Sequence, residues 1–147
     1  GLGDVYKRQG TNFPAISTAG AEPTLTETIM TIKIDTTVPE LEPWGSVTNL
    51  GSEVLEGDVQ CMGRMIHGAP TDPVSCAWFG ATRGKFRMTY PFDEHSVVVE
   101  GSVTLTNEAT GEAVSYGVGD AWFVRKGTPV LWEITSDRFV KNYLAVA

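Results

Sequence analysis

The stretch Gly84-Lys85-Phe86-Arg87-Met88-Thr89-Tyr90-Pro91-Phe92-Asp93-Glu94-His95-Ser96-Val97-Val98-Val99-Glu100-Gly101-Ser102-Val103-Thr104-Leu105 decides the fold. It contains two short runs rich in β-branched and aromatic residues, Lys85–Tyr90 and His95–Glu100, and most of a third, Ser102–Asn107, separated by Pro, Asp and Gly. Working outward, the same pattern continues on both sides. Val59–Ile66 and Ser75–Ala81 precede it, and Ala113–Tyr116, Ala121–Arg125, Val130–Ile134 and Phe139–Ala145 follow. No window of ten or more residues here has helical apolar spacing. Asn107–Glu112 reads as a hairpin tip with Gly111 available for a positive φ, and Gly117–Asp120 and Lys126–Pro129 read as further turns. Many short strands at this spacing predict an all-β sandwich or small barrel. Glu40–Gly45, with Pro43 and Trp44, reads as an extended lead-in that drapes the indole over that barrel.

The chain has 147 residues, and 11 Lys and Arg against 18 Asp and Glu leave a net charge of −7. One domain is expected from this length. An acidic chain without a basic patch argues against nucleic-acid binding and against an anionic membrane surface. No apolar run approaches the roughly 20 residues needed to span a bilayer. Cys61 and Cys76 make neither a disulfide framework nor a zinc cluster, so a reduced, cytoplasmic setting is expected. Phosphate-binding glycine loops leading into a helix and Gly-x-Ser-x-Gly elbows are absent from the sequence.

The first 29 residues read differently from the rest. Asp4-Val5-Tyr6-Lys7-Arg8-Gln9 resembles a translated sequencing adapter, and Gly10–Ile29 is rich in Thr, Ala, Gly and Pro without apolar periodicity. Residues 1–29 are therefore expected to be artefactual or disordered, with a single domain over 30–147 and Met30 as a plausible start.

Gly84–Glu94, Val99–Leu105, Gly119-Asp120-Ala121-Trp122-Phe123 and Lys126-Gly127-Thr128 together resemble a cupin. Within the cupins the chain is similar to the small single-domain group that includes (S)-ureidoglycine aminohydrolase and the ethanolamine-utilisation cupins. Trp132-Glu133-Ile134 followed by Val140-Lys141-Asn142-Tyr143 carries the same likeness. The resemblance implies a double-stranded β-helix, a jelly-roll-like barrel.

Its functional residues carry over only in part. The first cupin motif has two His one residue apart, then Glu, then Gly after six more residues. Glu94 and Gly101 match, and the two His positions fall on Met88 and Tyr90. The second motif matches at Gly119 and Gly127, but Arg125 replaces its Pro and Val130 replaces its His. The subgroup's Trp-Glu is Trp78-Phe79 here. One carboxylate, a phenol, a thioether and a valine do not make a tight divalent site.

Strand alternation then predicts what lines the barrel. The motif turns Met88, Tyr90 and Glu94 inward. Val130 and Trp132 share a face, as do Lys141 and Tyr143, and both pairs are expected inward. Glu94 is the candidate catalytic group, and Met88, Tyr90, Val130, Trp132, Lys141 and Tyr143 are the candidate ligand-binding set. Glu94 is costly to bury alone, and Lys141 is its expected partner. Without a cation beside it, burial would make Glu94 a general acid or base; with Lys141 beside it, a binding group is expected. His95 follows Glu94 and so points outward, His67 ends an earlier strand beside Gly68, and Arg87 points toward surface acids. Asp120 is expected to be a turn-stabilising residue. His95, Val97 and Val99 form an outward apolar set, and small cupins commonly pair through such a face, so a homodimer is expected.

Three functional readings follow. The first is a small-molecule-binding cupin without a complete metal site, in amine or ureide metabolism. The second is an aminohydrolase of the ureidoglycine type that uses a divalent metal such as manganese. The third is a non-catalytic, dimeric accessory cupin.

Overall fold

The computed structural model describes residues 31–147, so the expectations for residues 1–29 lie outside it. Among the described residues nine strands run in the order β1 (Glu42–Ser46), β2 (Glu53–Glu56), β3 (Gln60–His67), β4 (Val74–Thr89), β5 (Asp93–Glu100), β6 (Val103–Asn107), β7 (Ala113–Tyr116), β8 (Ala121–Val124) and β9 (Pro129–Val146). A single 3₁₀ turn, Val47–Leu50, joins β1 to β2. Every pairing is antiparallel.

Two long strands organise the molecule. β4 and β9 pair along nearly their whole length, from Val74 opposite Val146 to Thr89 opposite Pro129, with a register break between Thr82 and Gly84. The sequence predicts two strands in each of these places. The polar run Thr135-Ser136-Asp137 and the glycine at 84 have turn composition, but they form bends inside continuous strands. At Gly84 the path of the chain requires glycine: a Cβ there would lie 2.6 Å from the Glu56 carbonyl oxygen and 2.5 Å from Val59.

The bends divide the pairing into two halves. On one side of them the order is β1-β3-β4-β9-β5-β8, and on the other β2 joins β4 while β6 joins β9 and carries β7. The result is an all-β, jelly-roll-like barrel. Its inner face is filled by Val59, Phe86, Val98, Val103, Trp132 and Phe139, all essentially inaccessible. Each large apolar side chain buried in this way contributes roughly 1.5–3 kcal/mol.

β1 lies where the sequence suggests only an extended lead-in, and β2 where it suggests no strand. β1 pairs with β3, and Trp44 packs over Gly63, whose missing side chain makes the room: a Cβ at 63 would lie 2.2 Å from the indole. Outside the sheet, Val38, Leu41 and Ile66 cover a second apolar cluster of Trp78, Val99 and Val140. Val99 points outward as alternation predicts, and within this cluster it is 5 % exposed. The chain's own lead-in covers it.

Candidate functional site

Glu94 opens β5 and turns into the barrel, where it is 2 % exposed. Ser96, two residues on and therefore on the same face, donates its hydroxyl to Glu94 Oε1 at 2.7 Å. The Tyr90 phenol donates to the same oxygen at 3.2 Å. The third donor to Oε1 is the Lys141 ammonium from β9, itself 4 % exposed. Three donors on one buried oxygen offset much of the cost of taking the carboxylate out of water.

Lys141 is enclosed by aromatic rings. Its Nζ lies 5.1 Å from the ring centre of Trp132, 5.2 Å from Tyr143, 5.4 Å from Phe79, 5.5 Å from Trp122 and 5.9 Å from Tyr90. Burial pulls the Lys141 ammonium below its ordinary pKa, and the Glu94 charge opposes that pull. Burial pushes the Tyr90 phenol well up, and the Glu94 charge adds to this, while the nearby Trp122 indole opposes. Tyr143 is raised for the same first reason, burial, with Glu94 second.

An open cleft of about 250 Å³ leads from solvent toward this interior. Tyr90, Trp122, Tyr116, Leu105 and Val130 form its apolar walls, and Glu112 and Arg125 stand among its polar residues. Trp122 packs between Tyr116 and Trp132, with ring centres 4.9 and 5.9 Å away. The indole N–H groups of Trp122 and Trp132 have no hydrogen-bond partner. Tyr90 belongs to both places: it is among the residues that line the cleft, and its hydroxyl reaches Glu94.

The predicted residues thus divide into three groups. Tyr90, Glu94, Trp132, Lys141 and Tyr143 come together around the ion pair. Tyr90 and Val130 line the cleft. Met88 pairs with Val130 across β4 and β9 and packs against the core. Sequence reasoning missed Ser96, Phe79 and Trp122, although the alternation that places Glu94 also places Ser96.

Other candidates lie elsewhere. His95 is exposed on the outer face, level with Phe123 and Leu144. His67 ends β3 beside a register break and sits opposite Cys76. Arg87 faces Glu108 at 3.3 Å and Glu53 at 3.8 Å on the surface. Asp120 accepts from the Gly117 N–H at 2.9 Å, closing its turn.

The divalent metal that the resemblance implies does not fit this donor set. The one carboxylate at the matching positions is taken by Lys141, Ser96 and Tyr90. Among the described residues no three His, Cys, Asp or Glu side chains converge. No helix among them is long and apolar enough to cross a membrane.

Comparison with known proteins agrees with this architecture. No curated protein matches the chain. The EutQ protein of Clostridium difficile superposes with a TM-score of 0.51 at 19 % identity, over 60 % of this chain and 68 % of that one. A DUF861-family protein of unknown function from Pseudomonas syringae pv. tomato gives a TM-score of 0.64 at 20 % identity, over 77 % of this chain and 46 % of that one. At such identities the likeness speaks for the fold alone. The family model described as the EutQ-like cupin domain matches residues 68–143, from the end of β3 through Tyr143 of the site, and the chain belongs to that family.

Proposed function

We propose that this protein is a small-molecule-binding cupin that works without a complete metal site. Its ligand is a small polar molecule of amine or ureide metabolism, taken into the cleft at the barrel mouth. One observation supports this reading most: Tyr90 is at once a wall of the cleft and a donor to the buried Glu94. A ligand resting on Tyr90 and Trp122 is thereby in contact with the group that borders the ion pair, while Glu94 and Lys141 stay behind it. Aromatic walls with a few polar groups for orientation are the usual make-up of small-molecule sites. The amine class is suggested by the EutQ-like family, and the ureide class by the resemblance to (S)-ureidoglycine aminohydrolase. In this reading Glu94 is a binding and positioning group, because Lys141, Ser96 and Tyr90 already engage its Oε1.

The test is a thermal-shift titration of the wild-type protein with ethanolamine, ureidoacetate and acetate. A ligand at about 100 times its Kd stabilises by about 2.7 kcal/mol, which is readily seen in a domain of this size. The expected result is a saturable rise with one of these classes that Trp122→Ala abolishes. The absence of any rise, or one unaffected by Trp122→Ala, overturns the reading.

A further inference from the structure

The surroundings of Lys141 are those of a bound organic cation. A free ammonium ligand is held in proteins by ring faces within about 6 Å and by a carboxylate that neutralises it. Here five ring centres lie between 5.1 and 5.9 Å from Nζ, contributed by β4, the residue that follows it, β8 and β9. The carboxylate of Glu94 supplies the opposite charge, positioned by Ser96 and Tyr90. An ordinary core position for a lysine would let its ammonium escape to water at the end of its long stem. Lys141 does not do this: it is 4 % exposed, and its stem ends among the rings.

We propose that the barrel interior is a cation-binding cage for a primary alkylammonium, occupied in this chain by the tethered ammonium of Lys141. The cage recognises charge and ring contact together, and the lysine stem fills the channel a free alkyl group would use. The interior is thereby closed to external cations, and ligands of the wild-type protein stop at the cleft. This inference stands on Lys141, Glu94 and the rings, and does not rest on what the cleft binds.

Lys141→Ala removes three methylenes and the ammonium, which n-propylammonium replaces atom for atom. The experiment is a thermal-shift titration of Lys141→Ala with n-propylammonium chloride, with 1-propanol as the uncharged counterpart. The expected result is a saturable rise of Lys141→Ala with the amine beyond any seen in the wild type, none with the alcohol, and no such excess for Lys141→Ala/Glu94→Gln. Equal rises with amine and alcohol would show a merely apolar cavity and overturn the proposal, as would no rise with either. Should Lys141→Ala not fold unaided, refolding from urea gives the same comparison. Recovery with the amine alone supports the cage, and recovery with both or with neither overturns it. Binding at the cleft is common to the wild type and the variant, whereas the cage is read from the excess in the variant, so the two ideas fail separately.

Discussion

Lys141 pairs in the sheet with Val98, yet its ammonium meets Glu94, four residues back along β5. The lysine stem spans the row in which Ser96 faces Tyr143, and that row supplies both a hydroxyl donor to Glu94 and one ring of the cage. Two adjacent strands thus bring opposite charges together inside an apolar barrel with almost no exposure of either.

The first prediction concerns that pair. Removing one member leaves an uncompensated charge in the core, which costs roughly 3–5 kcal/mol, whereas replacing both with apolar or neutral groups is far milder. Glu94→Gln is therefore expected to be strongly destabilising in urea unfolding, and Glu94→Gln/Lys141→Met to recover much of the loss. A double variant whose loss equals the sum of the single losses would show that the two groups do not interact.

The second concerns alkaline pH. Burial pushes the Cys61 thiol from its ordinary 9.0 up to about 12. The folded chain then keeps a proton that the unfolded chain releases, so stability present below pH 9 is lost as the pH rises toward 12. The raised Tyr90 and Tyr143 act with the same sign above their ordinary 10.0. Lys141 is lowered and acts with the opposite sign, gaining stability as the pH rises toward 10.5. Cys76, Tyr116 and Lys85 are raised as well, so six groups against one predict a net decline in the urea midpoint from about pH 9 upward, shallower in Cys61→Val. A midpoint that rises or stays flat from pH 8 to 11 contradicts this.

The third concerns Trp44. Its indole occupies the space over Gly63 and stands 6.5 Å from the Phe79 ring. Gly63→Ala displaces the indole, and overpacking of this kind costs typically about 1–3 kcal/mol. In a Trp44→Leu background the same substitution is expected to cost much less. Equal costs in both backgrounds would mean that Trp44 does not sit over Gly63.

The fourth concerns metal. Since Glu94 is already engaged and no ligand cluster converges among the described residues, neither manganese(II) nor a chelator is expected to move the thermal midpoint. A saturable rise with manganese that disappears in Glu94→Gln would restore the metal-dependent reading.

Much of this site is legible in the chain before any coordinates. Strand alternation is strict, so the inward placement of Glu94 brings Ser96 and Val98 inward with it, and that of Tyr143 brings Lys141. The hairpin at Gly111 and the turns at Gly119 and Gly127 announce themselves because glycine alone adopts their positive φ cheaply. What alternation does not convey is which strands neighbour one another. Phe79 and Trp122 reach the cage through pairings of β4 with β9 and of β5 with β8, contacts between segments dozens of residues apart. Nor does local composition distinguish a turn from a bend within a strand. Thr135-Ser136-Asp137 is polar enough to end a strand, yet β9 passes through it because Ile134 and Arg138 both keep their partners on β4. Val99 shows a third limit. Its outward direction is correct, but the cover over it comes from Val38 and Leu41, which carry no strand pattern.

The central claim is that the Lys141 ammonium is held inside a ring-lined barrel against Glu94. Nuclear magnetic resonance of the lysine ε-methylene groups tests it most directly, because ring faces shift nearby protons strongly upfield. The account predicts one ε-methylene signal far upfield of those from Lys7, Lys33, Lys85 and Lys126, absent in Lys141→Met and displaced in Glu94→Gln. Five lysine signals together at solvent-exposed positions would contradict it.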